Sequence, residues 1–244
     1  MYWLTFVGEG RSGHTLVSGI LGSHPNVRIS EEQKYISKWC RGISREDIIR
    51  ALLASGGGKY RRSMGFENLD TYTEPLLVMG DKCGWDAVNE VKRRGQASDI
   101  LTRFSDFIEM PVKVIHTTRH PLDNISAWVD SPKYARLYPE RDRRFNKMIA
   151  RYCKFYEAAE EIMAGQDVFH LRNETLIENS SDTIQKLSDW LDLPPNKGWR
   201  RASAKYVNAT PHRRRDACNW PDKYLDQVNG SRVLDRFPSL SYYK

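Results

Sequence analysis

Cysteine is scarce in this sequence of 244 residues, and its four cysteines form no recognisable motif. Cys40, Cys83, Cys153 and Cys218 lie far apart, without a Cys-x-x-Cys pair or the spacing of a metal site. Secreted domains that depend on disulfides are usually much shorter and richer in cysteine. We therefore expect free thiols and a reducing, cytoplasmic location.

Long apolar runs are also missing. No segment approaches the about 18 consecutive apolar residues that a membrane-spanning helix requires. The few apolar residues before Gly8 are too short for the core of a signal peptide. The chain also contains no internal repeat and no long low-complexity tract. These absences predict a soluble protein that does not associate with membranes.

The charge balance is basic, with a formal net charge of +7, while the hydrophobic fraction of 40% is ordinary for a globular protein. An excess of positive charge favours a polyanionic ligand, such as a nucleic acid, an anionic glycan or a highly charged nucleotide. A solvated basic surface explains the same numbers equally well. Charge alone therefore does not identify a ligand.

Short apolar segments alternate with amphipathic helical patterns along the chain. This alternation predicts an α/β fold in which a parallel sheet is flanked by helices. The whole chain, residues 1–244, is expected to form one domain, with segment 196–244 wrapping the sheet. We predict strands at 2–7, 76–79, 112–117 and 168–172, and helices at 44–53, 100–108, 145–163 and 180–191.

A glycine-rich turn follows the first predicted strand and precedes an apolar helical pattern. A strand, loop and helix in this order present backbone N–H groups and a helix N-terminus to an anion. Gly8, Gly13 and Thr15 match the Walker A motif of nucleoside triphosphatases, but His14 occupies the position of its lysine. The permanent positive charge lies at Arg11 instead. We predict a phosphate-binding loop, with an ordinary tight turn as the alternative, and we do not predict an ATPase or GTPase.

A second phosphate-binding pattern follows the strand predicted at 112–117. Arg119 emerges at the carboxyl end of this strand, where open α/β sheets bind ligands. Pro121 can begin the next helix, which would carry Ser126 about two turns after Arg119. An arginine with a nearby hydroxyl suits a terminal phosphate.

These segments resemble the motifs of sulfotransferases that use 3′-phosphoadenosine 5′-phosphosulfate (PAPS). The loop at 10–15, followed by His24-Pro25-Asn26, resembles their 5′-phosphosulfate loop, and the segment at 119–123 resembles their 3′-phosphate motif. Segment 171–176, with residues 184–194 after it, is similar to a later stretch of the family. The resemblance covers residues 5–195 and implies the sulfotransferase fold, which is related to that of P-loop nucleoside triphosphatases.

The resemblance also implies a reaction and its cosubstrate. A sulfuryl group would pass from PAPS to a hydroxyl or amine of an acceptor by in-line displacement, leaving 3′-phosphoadenosine 5′-phosphate (PAP). Negative charge develops on the oxygen that bridges to the leaving phosphate, where fixed cations lower the barrier. A sulfuryl group bears less charge than a phosphoryl group, so no metal is expected.

The nucleotide-binding residues follow from the same resemblance. Arg119 and Ser126 would bind the 3′-phosphate, although the family usually places this hydroxyl one residue later, where Ala127 stands. The basic run at 213–215 would form a late phosphate clamp, or else a solvated charge cluster. The residues implied to bind the nucleotide are Arg11, Ser12, Gly13, His14, Thr15, Arg119, Ser126, Arg213 and Arg214.

The resemblance implies Glu32, Lys82, Arg11 and His14 as the catalytic residues. Small-molecule sulfotransferases of the cytosol use a histidine base two residues after a lysine, and this chain has Lys82 without that histidine. The tyrosylprotein and several bacterial types use a glutamate instead, and the spacing from Arg11 favours Glu32 over Glu31. The plain alternatives are an acidic helix start for Glu31 and Glu32 and a surface lysine at a strand end for Lys82.

Three other interpretations remain open. A P-loop kinase or other nucleoside triphosphatase would need a lysine at position 14 and a Mg²⁺ site. A nucleic-acid-binding protein would need a basic stripe interleaved with aromatic residues, which the sequence lacks, so no nucleic-acid partner is expected. A nucleotide sensor would bind PAP without turnover. The acceptor, whether phenol, peptide or glycan, depends on loops at 35–65 and 131–144, and the oligomeric state is not predicted.

Overall fold

The structure, a computed structural model, describes residues 1–55, 75–94, 99–207 and 213–231. Its centre is a five-stranded sheet in the order β2-β3-β1-β4-β5, in which every neighbouring pair is parallel. This confirms the predicted α/β fold with a parallel sheet. The strands are β1 (Tyr2–Val7), β2 (Val27–Glu31), β3 (Val78–Lys82), β4 (Val112–Thr118) and β5 (Asp167–Arg172).

Helices cover both faces of the sheet, because alternate residues of a buried strand point to opposite sides. In β1, Trp3 and Val7 belong to one hydrophobic cluster, and Leu4 and Phe6 belong to the other. The described helices are α1 (His14–Gly22), α2 (Tyr35–Trp39), α3 (Arg45–Ala54), α4 (Asp86–Arg94), α5 (Ile100–Ile108), α6 (Pro121–Val129), α7 (Pro132–Leu137), α8 (Arg141–Met163), α9 (Asn173–Glu178), α10 (Ser180–Trp190), α11 (Lys197–Lys205), α12 (Arg214–Ala217) and α13 (Asp222–Asn229).

β2 was not predicted, because Arg28 and Ser30 interrupt its apolar pattern. Both are buried, and both form hydrogen bonds with distant groups. The Arg28 guanidinium donates to the Leu53 carbonyl at 2.8 Å, and the Ser30 hydroxyl donates to Asp81 Oδ1 at 2.9 Å. Glu31 therefore ends a strand, and the alternative that it starts a helix is wrong.

β3 begins two residues later than predicted and extends to Lys82. The prediction stopped before Gly80 and Asp81, which local propensity disfavours in a strand. Gly80 is required here, because a Cβ atom at this position would lie 2.1 Å from the Leu4 carbonyl oxygen. The later end of β3 matters for the site, because it places Lys82 at the carboxyl end of a buried strand.

The described part of segment 196–244 packs against earlier elements. In α11, the Trp199 indole donates to the Ile20 carbonyl at 2.9 Å. In α13, the Tyr224 ring stacks on Phe145 with centroids 4.9 Å apart. These contacts agree with a segment that wraps the sheet, while the organisation of 1–244 as one domain stays a prediction. Residues 208–212 and 232–244 of this segment, and 56–65 of the predicted acceptor loops, lie outside the described residues.

The four cysteines carry free thiols, as expected. Within the described ranges, no helix has the length and apolar character needed to cross a bilayer.

Candidate functional site

A cavity of about 990 Å³ lies at the carboxyl ends of β1, β3 and β4. The chain leaves β1 towards β2 on one side, and the connection from β3 crosses to β4 on the other side of β1. Open α/β sheets bind ligands at such a point. Cations outnumber acids in the lining, which suits a polyanionic ligand. Its charged residues are Arg11, Lys82, Lys92, Arg119, Lys133, Arg151 and Arg214 against Glu9, Glu32 and Asp130.

The loop between β1 and α1 forms one wall of this cavity. Arg11 and Gly13 adopt left-handed backbone conformations, with φ of 74° and 102°. A side chain at Gly13 would be strained by the φ value of 102°, and its Cβ atom would lie 2.2 Å from Asn173 Nδ2, which would have to move. Gly13, His14 and Thr15 line the cavity at the start of α1, where a helix N-terminus favours an anion.

The Arg11 guanidinium is exposed and has no acidic partner among residues 1–55, 75–94, 99–207 and 213–231. Its Cζ atom lies 5.3 Å from the centre of the Trp128 ring. The Arg11 carbonyl accepts a hydrogen bond of 3.4 Å from Arg119 Nη1, so the two predicted phosphate-binding segments are adjacent. The positive charge of Arg11 is therefore available to a ligand.

His14 is buried at the floor of the cavity. Burial, with a smaller contribution from the nearby positive charge of Lys82, lowers the pKa of His14 to about 3. The imidazole is therefore neutral at pH 7 and can act only as a neutral hydrogen-bonding group. Gly8 and Gly84 make room for it, since a Cβ atom at either would lie within 2.6 Å of His14 Nε2.

Ser12 is buried beneath the loop and does not line the cavity. Its hydroxyl donates to the Glu9 carbonyl at 2.7 Å and lies 3.0 Å from Thr117 Oγ1. These contacts close the turn and attach it to β4. The side chain of Ser12 therefore supports the loop, and the binding of the nucleotide by Ser12 stays a prediction.

One corner of the cavity, next to the phosphate loop, contains Glu32, Lys82 and Thr15. Lys82 Nζ lies 3.2 Å from Glu32 Oε1 and 3.4 Å from Thr15 Oγ1. The lysine is buried at the end of β3, whereas the Glu32 side chain is 57% exposed. The structure thus brings a carboxylate, an ammonium group and the phosphate loop into one corner of the cavity.

The backbone around Glu32 is held by Asp81. Glu32 itself is left-handed, with φ of 52°. Asp81 is buried, and its carboxylate accepts hydrogen bonds from the Gln33 N–H at 3.0 Å, the Lys34 N–H at 2.7 Å and the Ser30 hydroxyl at 2.9 Å. Because Asp81 belongs to the same strand as Lys82, these bonds fix the position of Glu32 relative to the lysine.

Asp81 predicts a dependence of stability on pH. Burial raises the pKa of Asp81 from 3.8 to about 6, against the hydrogen bonds from Gln33, Ser30 and Lys34 that lower it. Between these values the folded protein binds more protons than the unfolded chain, so the free energy of unfolding falls as pH rises. We expect wild type to lose on the order of 3 kcal/mol relative to Asp81→Asn between about pH 3 and about pH 7, most of it between about pH 4 and 6. Urea unfolding of wild type and Asp81→Asn at several pH values measures the difference between their free energies of unfolding. A difference that does not change with pH would contradict the raised pKa of Asp81.

Arg119 lies on the opposite side of the loop from Lys82, at the end of β4. Burial lowers the pKa of Arg119, while Asp123 and Glu174 oppose the effect and Arg214 and Arg215 add to it. Arg119 and Arg214 both line the cavity. Two arginines in one wall form a second anion-binding region beside that of Arg11.

Ser126 does not face the cavity. It is fully buried in α6, where its hydroxyl accepts a hydrogen bond of 2.9 Å from the Trp220 indole. The next residue, Ala127, lines the cavity, since one helical position corresponds to a rotation of about 100°. The structure therefore places Ala127 in the cavity with Arg119 and leaves the Ser126 hydroxyl outside it.

The three arginines at 213–215 have different environments. Arg213 is exposed and pairs with Asp216 at 3.1 Å, outside the cavity. Arg214 lines the cavity. Arg215 attaches this segment to α6, because its backbone N–H donates to Asp123 Oδ1 at 2.7 Å and its guanidinium pairs with the same carboxylate. Only Arg214 of the two predicted clamp residues reaches the cavity.

Sequence analysis missed a second group of cavity residues, centred on Glu9 and Arg151. Glu9 is buried, and its Oε1 atom accepts hydrogen bonds from the Gly10 N–H at 2.9 Å and from Arg151 Nη2 at 2.8 Å. Arg151 also donates to the Tyr134 hydroxyl at 2.9 Å. The local pattern gives no signal for this pair, which is separated by 142 positions. The sequence gives one indirect signal: Glu9 is an acidic residue in a loop that is expected to bind an anion, so it needs a cationic partner.

No protein-family model matches the sequence, and no curated protein matches it. Solved structures do match its fold. The sulfotransferase STF9 from Mycobacterium avium superposes with a TM-score of 0.54 and 12% identity, covering 97% of this chain and 76% of its own. The sulfotransferase domain from the curacin biosynthetic pathway gives 0.50 and 13%, covering 99% and 95%. Mouse sulfotransferase SULT7A1 complexed with PAP gives 0.47 and 11%, covering 99% and 81%. The first two show that this chain has a sulfotransferase-like fold.

Proposed function

We propose that the protein is a sulfotransferase that moves the sulfuryl group of PAPS to a hydroxyl or amine of an acceptor. The observation that carries the proposal is the corner in which Lys82 lies 3.2 Å from Glu32 and 3.4 Å from Thr15 of the loop. It combines an anion-binding loop, a cation and a carboxylate that can accept a proton. The likeness of the fold to sulfotransferases supports the same function.

The nucleotide would span the two anion-binding regions of the cavity. We place the 5′-phosphosulfate at the loop, beside Arg11 and the N-terminus of α1, and the 3′-phosphate beside Arg119 and Arg214. Arginine suits phosphate because it forms charge-assisted, bidentate hydrogen bonds. The proximity of Arg11 and Arg119 supports a ligand whose two anionic groups flank one nucleoside.

The chemistry assigns a separate role to each side chain. The acceptor oxygen or nitrogen forms a bond to sulfur as the bond from sulfur to the bridging oxygen of PAP breaks. Glu32 takes the acceptor proton, and the electron pair of the broken bond stays on the 5′-phosphate of PAP. Lys82 and Arg11 stabilise the charge that develops there. His14, being neutral, contributes at most a hydrogen bond.

The residue at the position of the Walker A lysine, His14, argues against a nucleoside triphosphatase. The lysine of the Walker A motif carries a positive charge to the β- and γ-phosphates. Here His14 occupies that position with a pKa of about 3, so no charge is present there at pH 7. Binding of nucleic acid is also less well supported, because Arg11, Lys82 and Arg119 line a cavity and not an extended groove.

Ligand-dependent melting tests the proposal. A ligand that binds only the native state raises the melting temperature, by an amount that grows with its concentration over its Kd. We expect PAP to raise Tm without Mg²⁺ and to do so more than ATP with Mg²⁺. If ATP with Mg²⁺ stabilises the protein and saturating PAP does not, the sulfotransferase proposal is wrong.

Arg119→Ala is expected to weaken PAP binding by about 10-fold to 100-fold, since a hydrogen bond to a charged group contributes about 1.5–3 kcal/mol. Binding of adenosine 5′-phosphosulfate should change little, because this nucleotide lacks the 3′-phosphate. Calorimetric titration of both ligands makes the comparison. Arg213→Ala, which removes an arginine outside the cavity, is the matched control. Equal losses for both nucleotides would remove Arg119 from this role.

A further inference from the structure

The indole of Trp128 is in contact with the backbone of the phosphate loop. Trp128 Nε1 donates to the Gly10 carbonyl at 3.1 Å. The ring also covers Gly10 closely, so that a Cβ atom at this position would lie 2.5 Å from the indole. A glycine at position 10 thus allows an aromatic ring from α6 to lie against the loop.

Two arginines from distant parts of the chain lie over this ring. The Cζ atoms of Arg11 and Arg151 are 5.3 Å and 4.9 Å from its centre. Glu9 neutralises Arg151 through an ion pair of 2.8 Å. No acid in the described part of the chain pairs with Arg11. The ring is therefore a contact of the Arg11 guanidinium that leaves its charge unpaired, whereas the charge of Arg151 is balanced by Glu9.

The indole is itself fixed in place. The Tyr134 ring packs edge-on against Trp128 with centroids 5.3 Å apart, and the Tyr134 hydroxyl accepts a hydrogen bond from Arg151. The ring therefore has contacts on several sides that do not involve Arg11. A fixed aromatic face restricts the rotamers of an arginine that lies on it, which reduces the entropy lost when the arginine binds a ligand.

An aromatic face and a carboxylate hold an arginine with different consequences. A carboxylate partner would order Arg11 but would cancel the charge that an anionic ligand needs. The electron-rich face of an indole attracts a guanidinium without neutralising it. We propose that Trp128 is a positioning residue of this site, which orders Arg11 over the loop and leaves its charge for the 5′-phosphate group of the nucleotide. This inference depends on the proposed function.

A double-mutant cycle tests whether Trp128 acts through Arg11. PAP affinity is measured by calorimetry for wild type, Trp128→Leu, Arg11→Ala and the double variant. We expect Trp128→Leu to weaken PAP binding by about 2-fold to 30-fold, the range of a cation–π contact. The double variant should bind PAP no worse than Arg11→Ala, because the ring has no further effect once the arginine is gone. Adenosine 3′-phosphate, which lacks the 5′ group, should bind equally to wild type and Trp128→Leu.

Fluorinated tryptophan at position 128 gives a second measurement that preserves the shape of the ring. Each added fluorine withdraws electrons from the ring face, so PAP affinity should fall step by step. Additive losses in the cycle, or affinity that is independent of fluorination, would overturn the role of Trp128. If wild type does not bind PAP, the proposed function fails, and this inference fails with it.

Discussion

Replacement of Glu32 by glutamine is expected to lower turnover by about 10²–10⁴-fold, the usual contribution of a positioned general base. The amide keeps the size of the side chain and can still accept a hydrogen bond from Lys82, but it cannot take the proton of the acceptor. PAP affinity should remain nearly unchanged, because we propose that Glu32 acts on the acceptor and not on the nucleotide. Turnover with radiolabelled PAPS and calorimetry with PAP measure the two quantities.

Glu31→Gln is the matched control. Glu31 ends β2, and it does not line the cavity that Glu32 lines. We therefore expect a mild effect on turnover. If the two effects are reversed, Glu31 is the base. If both variants keep the turnover of wild type, the base lies elsewhere, and the proposed role of Glu32 is wrong.

Lys82→Met is the second change for which we expect a large effect, a loss of about 10²–10³-fold in kcat, comparable to the loss of an oxyanion-hole donor. Methionine fills the buried space at the end of β3 but carries no charge to stabilise the bridging oxygen. The KM for PAPS should change much less, because the charge that Lys82 meets develops in the transition state.

Lys113→Met separates this effect from the general cost of removing a buried lysine. Lys113 also belongs to a strand, is largely buried and pairs with an acid, Asp167, at 3.3 Å. It does not line the cavity. We expect Lys113→Met to lower Tm and to retain turnover. A rise in KM with kcat unchanged for Lys82→Met, or an equal loss of kcat in both variants, would argue against a role of Lys82 in catalysis.

The sequence predicted those elements whose signals are local. β1 and α5 have the predicted bounds, because their apolar patterns are complete. β2 was missed because Arg28 and Ser30 are stabilised by partners that only the fold brings near. The end of β3 was predicted too early for a related reason, since the need for Gly80 in this strand comes from the nearby backbone of β1.

The residues of the candidate site also divide into those that belong to a local motif and those whose position depends on the fold. The loop around Arg11 and the strand end at Arg119 carry their own motifs, so they could be located without a structure. Ser126 illustrates the limit of such reasoning, because one helical position decides whether a side chain faces the cavity or Trp220. Contacts of Trp128 with Gly10 and Arg151 join three separate segments, and no local pattern encodes them.

A crystal structure of the protein with PAP bound tests the central claim most directly. We predict electron density for PAP in the cavity at the carboxyl ends of β1, β3 and β4. Its 5′-phosphate should lie at the loop formed by residues 8–15, and its 3′-phosphate should lie within hydrogen-bonding distance of Arg119. PAP bound outside this cavity, or bound with its 3′-phosphate away from Arg119 and its 5′-phosphate away from Arg11, would contradict the claim.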